Sequence, residues 1–151
     1  MSTLYLALAC SLFSACACLS DAPAQIEIGP PHRKEFPATK EIPGSVYIEI
    51  PIRTTNTSKE AISFTTFISG PNFLEYVRNK KNSNHWTDIS AKGMCGLSYS
   101  SMTLASGESI ESTVLIEKCY SGKQFRFVLP INRSSNSKTI IRVASPTITL
   151  P

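Results

Sequence analysis

The chain has 151 residues and a formal net charge of +4, with 42% hydrophobic and 17% charged residues. This length suits one domain, and the composition is that of a globular chain rather than a disordered one. The excess positive charge is too small for a dedicated nucleic-acid-binding protein, and it indicates only a weak preference for anionic partners.

An apolar run at residues 4–19 opens the chain, and the first basic residue after it is Arg33. The run is too short for a membrane span and rich in small residues, so it predicts the apolar region of an export signal. The absence of Lys or Arg before it departs from the usual pattern of such signals.

Two processing sites compete within the predicted signal segment, residues 1–24. Residues 13–16 (FSAC) resemble a bacterial lipobox, which predicts lipidation of Cys16, with Cys18 as the alternative. Residues 22–24 (APA) form a small-x-small site that would be cleaved before Gln25. We expect the lipid-anchored form and keep simple secretion as the second reading.

Five prolines lie in residues 20–44, which excludes a helix there. The alternation at residues 25–28 predicts a short strand that ends at Gly29 and Pro30. We therefore assign residues 25–44 to a Pro-rich linker with an edge strand at its start.

Strand periodicity begins at residue 45 and defines the main domain, residues 45–151. Apolar and polar residues alternate over residues 46–53, although Pro51 indicates an edge or a bulge. Turn residues follow, and residues 62–67 alternate again, so these two strands are predicted to form a hairpin.

Short apolar or alternating segments separated by turn residues continue to the end of the chain. No segment has helical periodicity. The pattern predicts an antiparallel β-sandwich of about seven or eight strands. The further strands are predicted near residues 73–77, 86–89, 95–99, 110–116, 125–129, 140–143 and 147–150.

Several turn and strand segments carry a resemblance to a known class of domain. They are residues 56–58 (NTS), 106–109 (SGES), 122–126 (GKQFR) and 145–150 (SPTITL). Their order resembles bacterial extracytoplasmic immunoglobulin-like domains, many of which occur in lipoproteins. The resemblance covers residues 45–150 apart from the stretch between Trp86 and Tyr99. It implies an immunoglobulin-like sandwich and no particular activity.

Cys95 and Cys119 are the two cysteines of the main domain. An exported chain with two such cysteines is expected to form one disulfide. A catalytic thiol at Cys95 is the weaker alternative, because a nucleophilic cysteine needs a nearby base and the chain has only two histidines.

The stretch from residue 78 to residue 86 is the strongest candidate for partner binding. It contains three permanent positive charges and the only tryptophan, and these residue types dominate interface energetics. Its predicted binding residues are Arg78, Lys80, Lys81, His85 and Trp86. The alternative for the stretch is a solvated hairpin tip, and for Trp86 itself we favour a ring that turns into the core.

No catalytic motif, metal-ligand set or cofactor signature is evident, since His85 and Asp88 lack a third ligand. We therefore expect a noncatalytic binding or adaptor protein without cofactors, in the periplasm or at the outer membrane of a Gram-negative bacterium. Its partner would be a protein or an anionic envelope component, and not nucleic acid. The alternative function is a periplasmic inhibitor or immunity protein that blocks a hydrolase or toxin.

Overall fold

The computed structural model describes residues 22–39, 44–67, 70–78, 85–90, 99–133 and 139–151. In these residues the chain forms two antiparallel sheets that do not close into a barrel, which confirms the predicted all-β sandwich. None of the described segments is a helix long and apolar enough to cross a membrane.

Twelve strands occur in the described residues, three of them only two residues long. A short 3-10 turn, Lys118–Tyr120, precedes the tenth strand. In chain order the strands are β1 (Ala24–Ile28), β2 (His32–Phe36), β3 (Ser45–Asn56), β4 (Ile62–Phe67), β5 (Gly70–Pro71), β6 (Leu74–Arg78), β7 (Thr87–Asp88), β8 (Tyr99–Leu104), β9 (Ser109–Glu117), β10 (Gln124–Asn132), β11 (Ile140–Ala144) and β12 (Ile148–Thr149).

The first sheet is built around β3, which pairs with β9 on one side and with β2 and β1 in succession on the other. Pro51 lies in the middle of this central strand. Its carbonyl accepts a hydrogen bond from the Gly29 amide at 2.8 Å, at the break between β1 and β2. The proline nitrogen faces the same break, so the amide hydrogen that proline lacks is not needed for the ladder.

The second sheet is built around β10, which pairs with β6 on one side and with β11 and β12 on the other. The edge strand β7 pairs with β6, and β4 joins β10 at its far end while also pairing with β5 and β8. This arrangement places β6, which precedes the candidate binding stretch, next to β10, and β7, which follows the stretch, beside β6 at the edge.

The predicted hairpin of β3 and β4 is wrong, because the two strands belong to different sheets. Both edges of β3 are already occupied, by β9 and by β1 and β2, so β4 has no edge to join. At the end of β3 the buried side-chain amide of Asn56 donates through Nδ2 to the carbonyl oxygens of Glu60 and Leu104, at 2.9 and 3.0 Å. These bonds turn the chain toward the second sheet.

The core lies between the inward faces of the two sheets. Ile48, Ile50 and Ile52 of β3 are buried against the buried residues of β10, which include Phe125 and Phe127. The period of two along both strands produces this alternation, and each such side chain contributes about 1.5–3 kcal/mol on burial.

The residues before β2 are part of the sandwich. The amide of Thr57 donates to the Pro23 carbonyl at 3.1 Å, and its hydroxyl donates to the Ala22 carbonyl at 3.0 Å. Ala24 is buried and pairs with Asn56. The predicted lipidation residues Cys16 and Cys18 lie outside the described residues.

Candidate functional site

The described ends of the predicted binding stretch lie at the edge of the second sheet. Arg78 ends β6, and His85 and Trp86 directly precede β7. Because Val77 pairs with Thr87, the ladder places Trp86 beside Arg78, and the Arg78 Cζ lies 4.6 Å from the centre of the Trp86 ring. The predicted residues Lys80 and Lys81 lie outside the described residues.

Arg126, which was not among the predicted residues, joins this group from β10. Its Cζ lies 4.4 Å from the Trp86 ring centre and 5.5 Å from that of Tyr76, its ladder partner. We call Arg78, Trp86, Arg126 and Tyr76 the arginine–aromatic cluster. It occupies the outward face of the sheet, because Arg126 lies between the inward-facing Phe125 and Phe127.

The prediction that Trp86 turns into the core is wrong, since Trp86 is only partly buried and is not part of the core cluster. The alternation of Gln124, Arg126 and Val128 with apolar residues predicts that Arg126 faces outward. Only the register of β10 against β6, which is set by distant pairing, brings it to Trp86.

The two arginines of the cluster are held differently. Arg78 Nε donates to Gln124 Oε1 at 2.7 Å, across the β6–β10 ladder. Arg126 Nε is buried without a hydrogen-bond partner, a condition that costs about 1–3 kcal/mol or more for a charged group. The Arg126 guanidinium instead contacts the aromatic rings of Tyr76 and Trp86.

A cavity of about 270 Å³ lies beside the cluster, between the edge of the second sheet and the 3-10 turn. We call it the basic pocket, because Arg78, Lys123 and His85 are among its described lining residues and no acidic residue is, although the Arg78 guanidinium itself lies on the outward face with Trp86. The lining residues are Val77, Arg78, His85, Thr87, Ile89, Tyr120 and Lys123.

Glu75 of β6 lies on the inward side, in a smaller cavity of about 180 Å³ that is also lined by Val114 and Leu115 of β9. Burial, and secondarily the negative charge of Asp88, raise the pKa of Glu75 to about 7. Ser90 connects the backbone of Glu75 with the side chain of Asp88. Its Oγ accepts a hydrogen bond from the Glu75 backbone amide at 2.8 Å and donates one to Asp88 Oδ1 at 2.6 Å.

A larger groove of about 760 Å³ covers the outer side of the first sheet. Its charges have both signs: Glu27, Glu49 and Glu111 line it together with two cations, Lys34 and Arg53. Lys34 Nζ lies 2.6 Å from Glu49 Oε1.

Cys119 carries a free, exposed thiol in the 3-10 turn, with its Sγ 3.5 Å from Glu117 Oε2. Its predicted disulfide partner, Cys95, lies outside the described residues, so the pairing stays a prediction. In the described part of the chain no three His, Cys, Asp or Glu side chains are grouped to hold a metal ion.

No family model and no curated protein matches the chain. Among solved structures, the X-ray structure of the Northeast Structural Genomics Consortium target SoR45 is similar, with 9% identity and a TM-score of 0.49 over 85% of this chain and 86% of that one. A β-glucosidase involved in saponin metabolism, from intestinal bacteria, has 18% identity and a TM-score of 0.34. That match covers 85% of this chain and only 16% of the enzyme.

Proposed function

We propose that this chain is a noncatalytic binding or adaptor domain that recognises an anionic partner at the edge of its second sheet. The observation that carries the proposal is the Trp86 ring with two guanidinium groups, those of Arg78 and Arg126, within 4.6 Å of its centre on the protein surface. Trp and Arg are the residue types that contribute most to binding energy at interfaces.

The charge around the cluster supports an anionic partner. Lys123 and His85 add further basic groups near Arg78, and the acidic residue that the ladder places on the face of the cluster is Asp88, the partner of Tyr76. A group of like charges on one edge attracts oppositely charged partners and raises their association rate. An adaptor domain needs no cofactor for this function.

The cell envelope is the proposed location, with a lipid on Cys16 or Cys18 and an immunoglobulin-like domain held at the periplasm or outer membrane. The packing of residues 22–24 supports processing upstream of them. Cleavage after Ala24 would remove a buried strand residue and both carbonyl groups that accept from Thr57. A disulfide between Cys95 and Cys119 belongs to the same proposal, because both cysteines would meet an oxidising compartment.

Capture of partners from an envelope extract tests the binding function. The variant Arg78→Glu with Arg126→Glu is compared with Arg33→Glu with Arg133→Glu, which reverses two exposed charges elsewhere. We expect the first pair to reduce capture at least about tenfold, since a hydrogen bond to a charged group contributes roughly 1.5–3 kcal/mol. Equal capture by both variants, with native circular dichroism, would contradict the proposal.

The same experiment separates an adaptor from an inhibitor. Envelope-assembly proteins or envelope polymers in the captured fraction support the adaptor. A captured hydrolase or toxin whose activity falls on addition of the purified domain instead supports the alternative, in which this edge blocks an active site.

A further inference from the structure

We propose that the free edge of β9 binds the β9 edge of a second copy of this chain, so that the two first sheets join into one continuous antiparallel sheet. The two strands are related by a two-fold axis at Thr113. This surface lies on the other sheet from the arginine–aromatic cluster and uses none of its residues. The inference therefore stands independently of the proposed function.

The position of β9 in its sheet is the first reason. It pairs with β3 on one side, and in the described part of the chain no strand pairs with its other side. It spans nine residues, whereas the other edge strands among the described residues span six or fewer. Natural sheets protect exposed edges with short strands, lysine or proline, and β9 contains neither of these residues. Its free side is therefore open to a further strand.

The backbone direction of β9 follows from the hydrogen bonds of β3. The Pro51 carbonyl accepts from Gly29 at 2.8 Å, on the side of β1 and β2. The Asn56 amide donates to Glu108 at 2.9 Å, on the side of β9. Because successive residues of a strand face alternate sides, the odd-numbered residues of β3 face away from β9 and the even-numbered ones face it.

Thr113 lies opposite Pro51, and two opposite residues of an antiparallel pair either exchange hydrogen bonds or both face away. The amide and carbonyl groups of Thr113 therefore point to the free edge, and by alternation so do those of Glu111 and Leu115. The side chains of these three residues are exposed. The edge thus presents a row of hydrogen-bonding groups in the spacing that an added antiparallel strand requires.

The side chains of β9 match their own copies across a two-fold axis at Thr113. This axis pairs all nine residues of the strand. On the inward face it sets Ile110 opposite Ile116 of the second copy, and Ser112 opposite Val114 of the second copy. Inward residues stay on the core side in both copies, and Thr113 pairs with itself, which is a favourable cross-strand pair.

The negative charges of β9 select this axis over its neighbours. An axis one residue later would set Glu111 opposite Glu117, and an axis two residues earlier would set Glu111 opposite itself, which pairs like charges. An axis one residue earlier would leave the last two residues of β9 without a partner in the strand. The axis at Thr113 instead sets Glu111 opposite Leu115, whose side chain is 42% exposed in the single chain.

The residues just beyond β9 add opposite charges at both ends of the pair. Glu108 precedes the strand and Lys118 follows it, and both are exposed. With the axis at Thr113, Lys118 of each copy comes to the same end as Glu108 of the other. A parallel pair in register would instead bring each charge beside its own copy. The charges therefore favour the antiparallel orientation.

Sedimentation velocity of the purified full chain tests the inference over about 1–300 µM, a range suited to a small interface. We expect a reversible monomer–dimer equilibrium. Thr113→Pro removes an amide donor from the free edge and leaves the hydrogen bonds to β3 in place, because this amide points away from β3. The dimer should weaken at least about tenfold, since each copy loses one hydrogen bond.

Thr103→Pro is the matched control, because Thr103 is an exposed threonine of the edge strand β8. The Thr65 carbonyl accepts from the Asn72 amide at 2.9 Å, on the side of β4 away from β8. By alternation Ser63 also faces away from β8, and so does its ladder partner Thr103 from β4. This variant should dimerise as the native chain does. Circular dichroism of both proline variants checks that the fold is kept.

A pair of charge variants tests the axis itself without proline. Because Thr113 lies opposite its own copy, Thr113→Lys and Thr113→Glu each set like charges against each other. Each variant alone should weaken the dimer about threefold at low ionic strength. An equimolar mixture of the two should recover at least the native association, because opposite charges then meet at the axis.

The inference is overturned if the chain stays monomeric over the whole range, if the two proline variants associate alike, or if the mixture shows no recovery. Loss of partner capture in Thr113→Pro, from a chain that stays monomeric, would also overturn it and assign the edge to a strand of another protein. Arg78→Glu with Arg126→Glu should leave the dimer unchanged, so failure of the dimer and failure of the proposed function are measured separately.

Discussion

The outer groove of the first sheet and the basic pocket of the second differ in how their charges are balanced. In the groove, Lys34 lies 2.6 Å from Glu49, and Arg53 stands in register between Glu27 and Glu111. The basic pocket has about a third of the groove's volume, yet its described lining contains basic residues without an acidic one. The two regions therefore differ in local charge balance as well as in volume.

The two sheets also differ in whether their buried charged groups are paired. In the second sheet Arg126 Nε is buried without a hydrogen-bond partner, and burial raises the pKa of Glu75. In the described part of the first sheet, the buried side-chain atom without a partner is the neutral hydroxyl of Thr54. Unbalanced charge destabilises a fold, so variants of the second sheet should change stability more, and with a different dependence on pH, than variants of the first.

Replacing Glu75 by Gln should have the largest effect on stability. The pKa of Glu75 is raised from its ordinary value of 4.5 to about 7, so the folded state holds a proton that the unfolded state releases between these values. Ionisation of Glu75 therefore costs no stability below pH 4.5 and lowers the stability as the pH rises from there to about 7. Glutamine resembles the protonated acid, and the variant should be more stable than the native chain by about 3 kcal/mol at high pH.

Urea unfolding at pH 4 and pH 8 measures this effect. The two proteins should have similar free energies of unfolding at the lower pH and differ at the higher one. Glu49→Gln is the control from the first sheet, where Lys34 already balances the carboxylate. A constant difference between native chain and Glu75→Gln at both pH values would show that Glu75 ionises normally.

Replacing Trp86 by Ala should have an intermediate effect. The substitution removes a partly buried ring and its contacts with two guanidinium groups, each contributing about 0.5–1 kcal/mol at exposed sites. With the lost apolar burial, we expect a decrease of about 2 kcal/mol in the free energy of unfolding. Thermal and urea unfolding measure it.

Phe36→Ala is the matched control in the first sheet. Phe36 is 40% exposed, and in the described part of the chain its cation contact is Lys34, with Nζ 5.9 Å from the ring centre. The control should lose less stability than Trp86→Ala. Equal losses would mean that the arginine–aromatic cluster contributes no more to folding than an ordinary surface aromatic pair.

The sequence allowed the sandwich and the inward faces of β3 and β10 to be predicted, because alternation over residues 46–53 and 125–129 is a local signal. The crossing of the chain between β3 and β4 was not predictable from local pattern, since it depends on β9 and β1 occupying both edges of β3. Arg78, His85 and Trp86 were recognised from residue type. Arg126 and Lys123 were missed because local sequence pattern does not show the two features that bring them to the site. These features are the pairing of β10 with β6 and the turn at Tyr120.

Replacing Lys34 by Met should have the smallest effect. Its ion pair with Glu49 is partly exposed, with 42% and 28% of the two side chains accessible, and such pairs contribute about 0–1 kcal/mol. We expect a loss of roughly 0.5 kcal/mol at low ionic strength that disappears at about 1 M salt, where the Debye length falls to about 3 Å. Arg33→Met is the control, because its pair with Glu35 is more exposed, at 61% and 63%, and should contribute less. A loss of stability in Lys34→Met that persists at high salt would mean that the lysine stem stabilises the groove by apolar packing. The balanced charges of the groove would then not be what distinguishes the groove from the basic pocket.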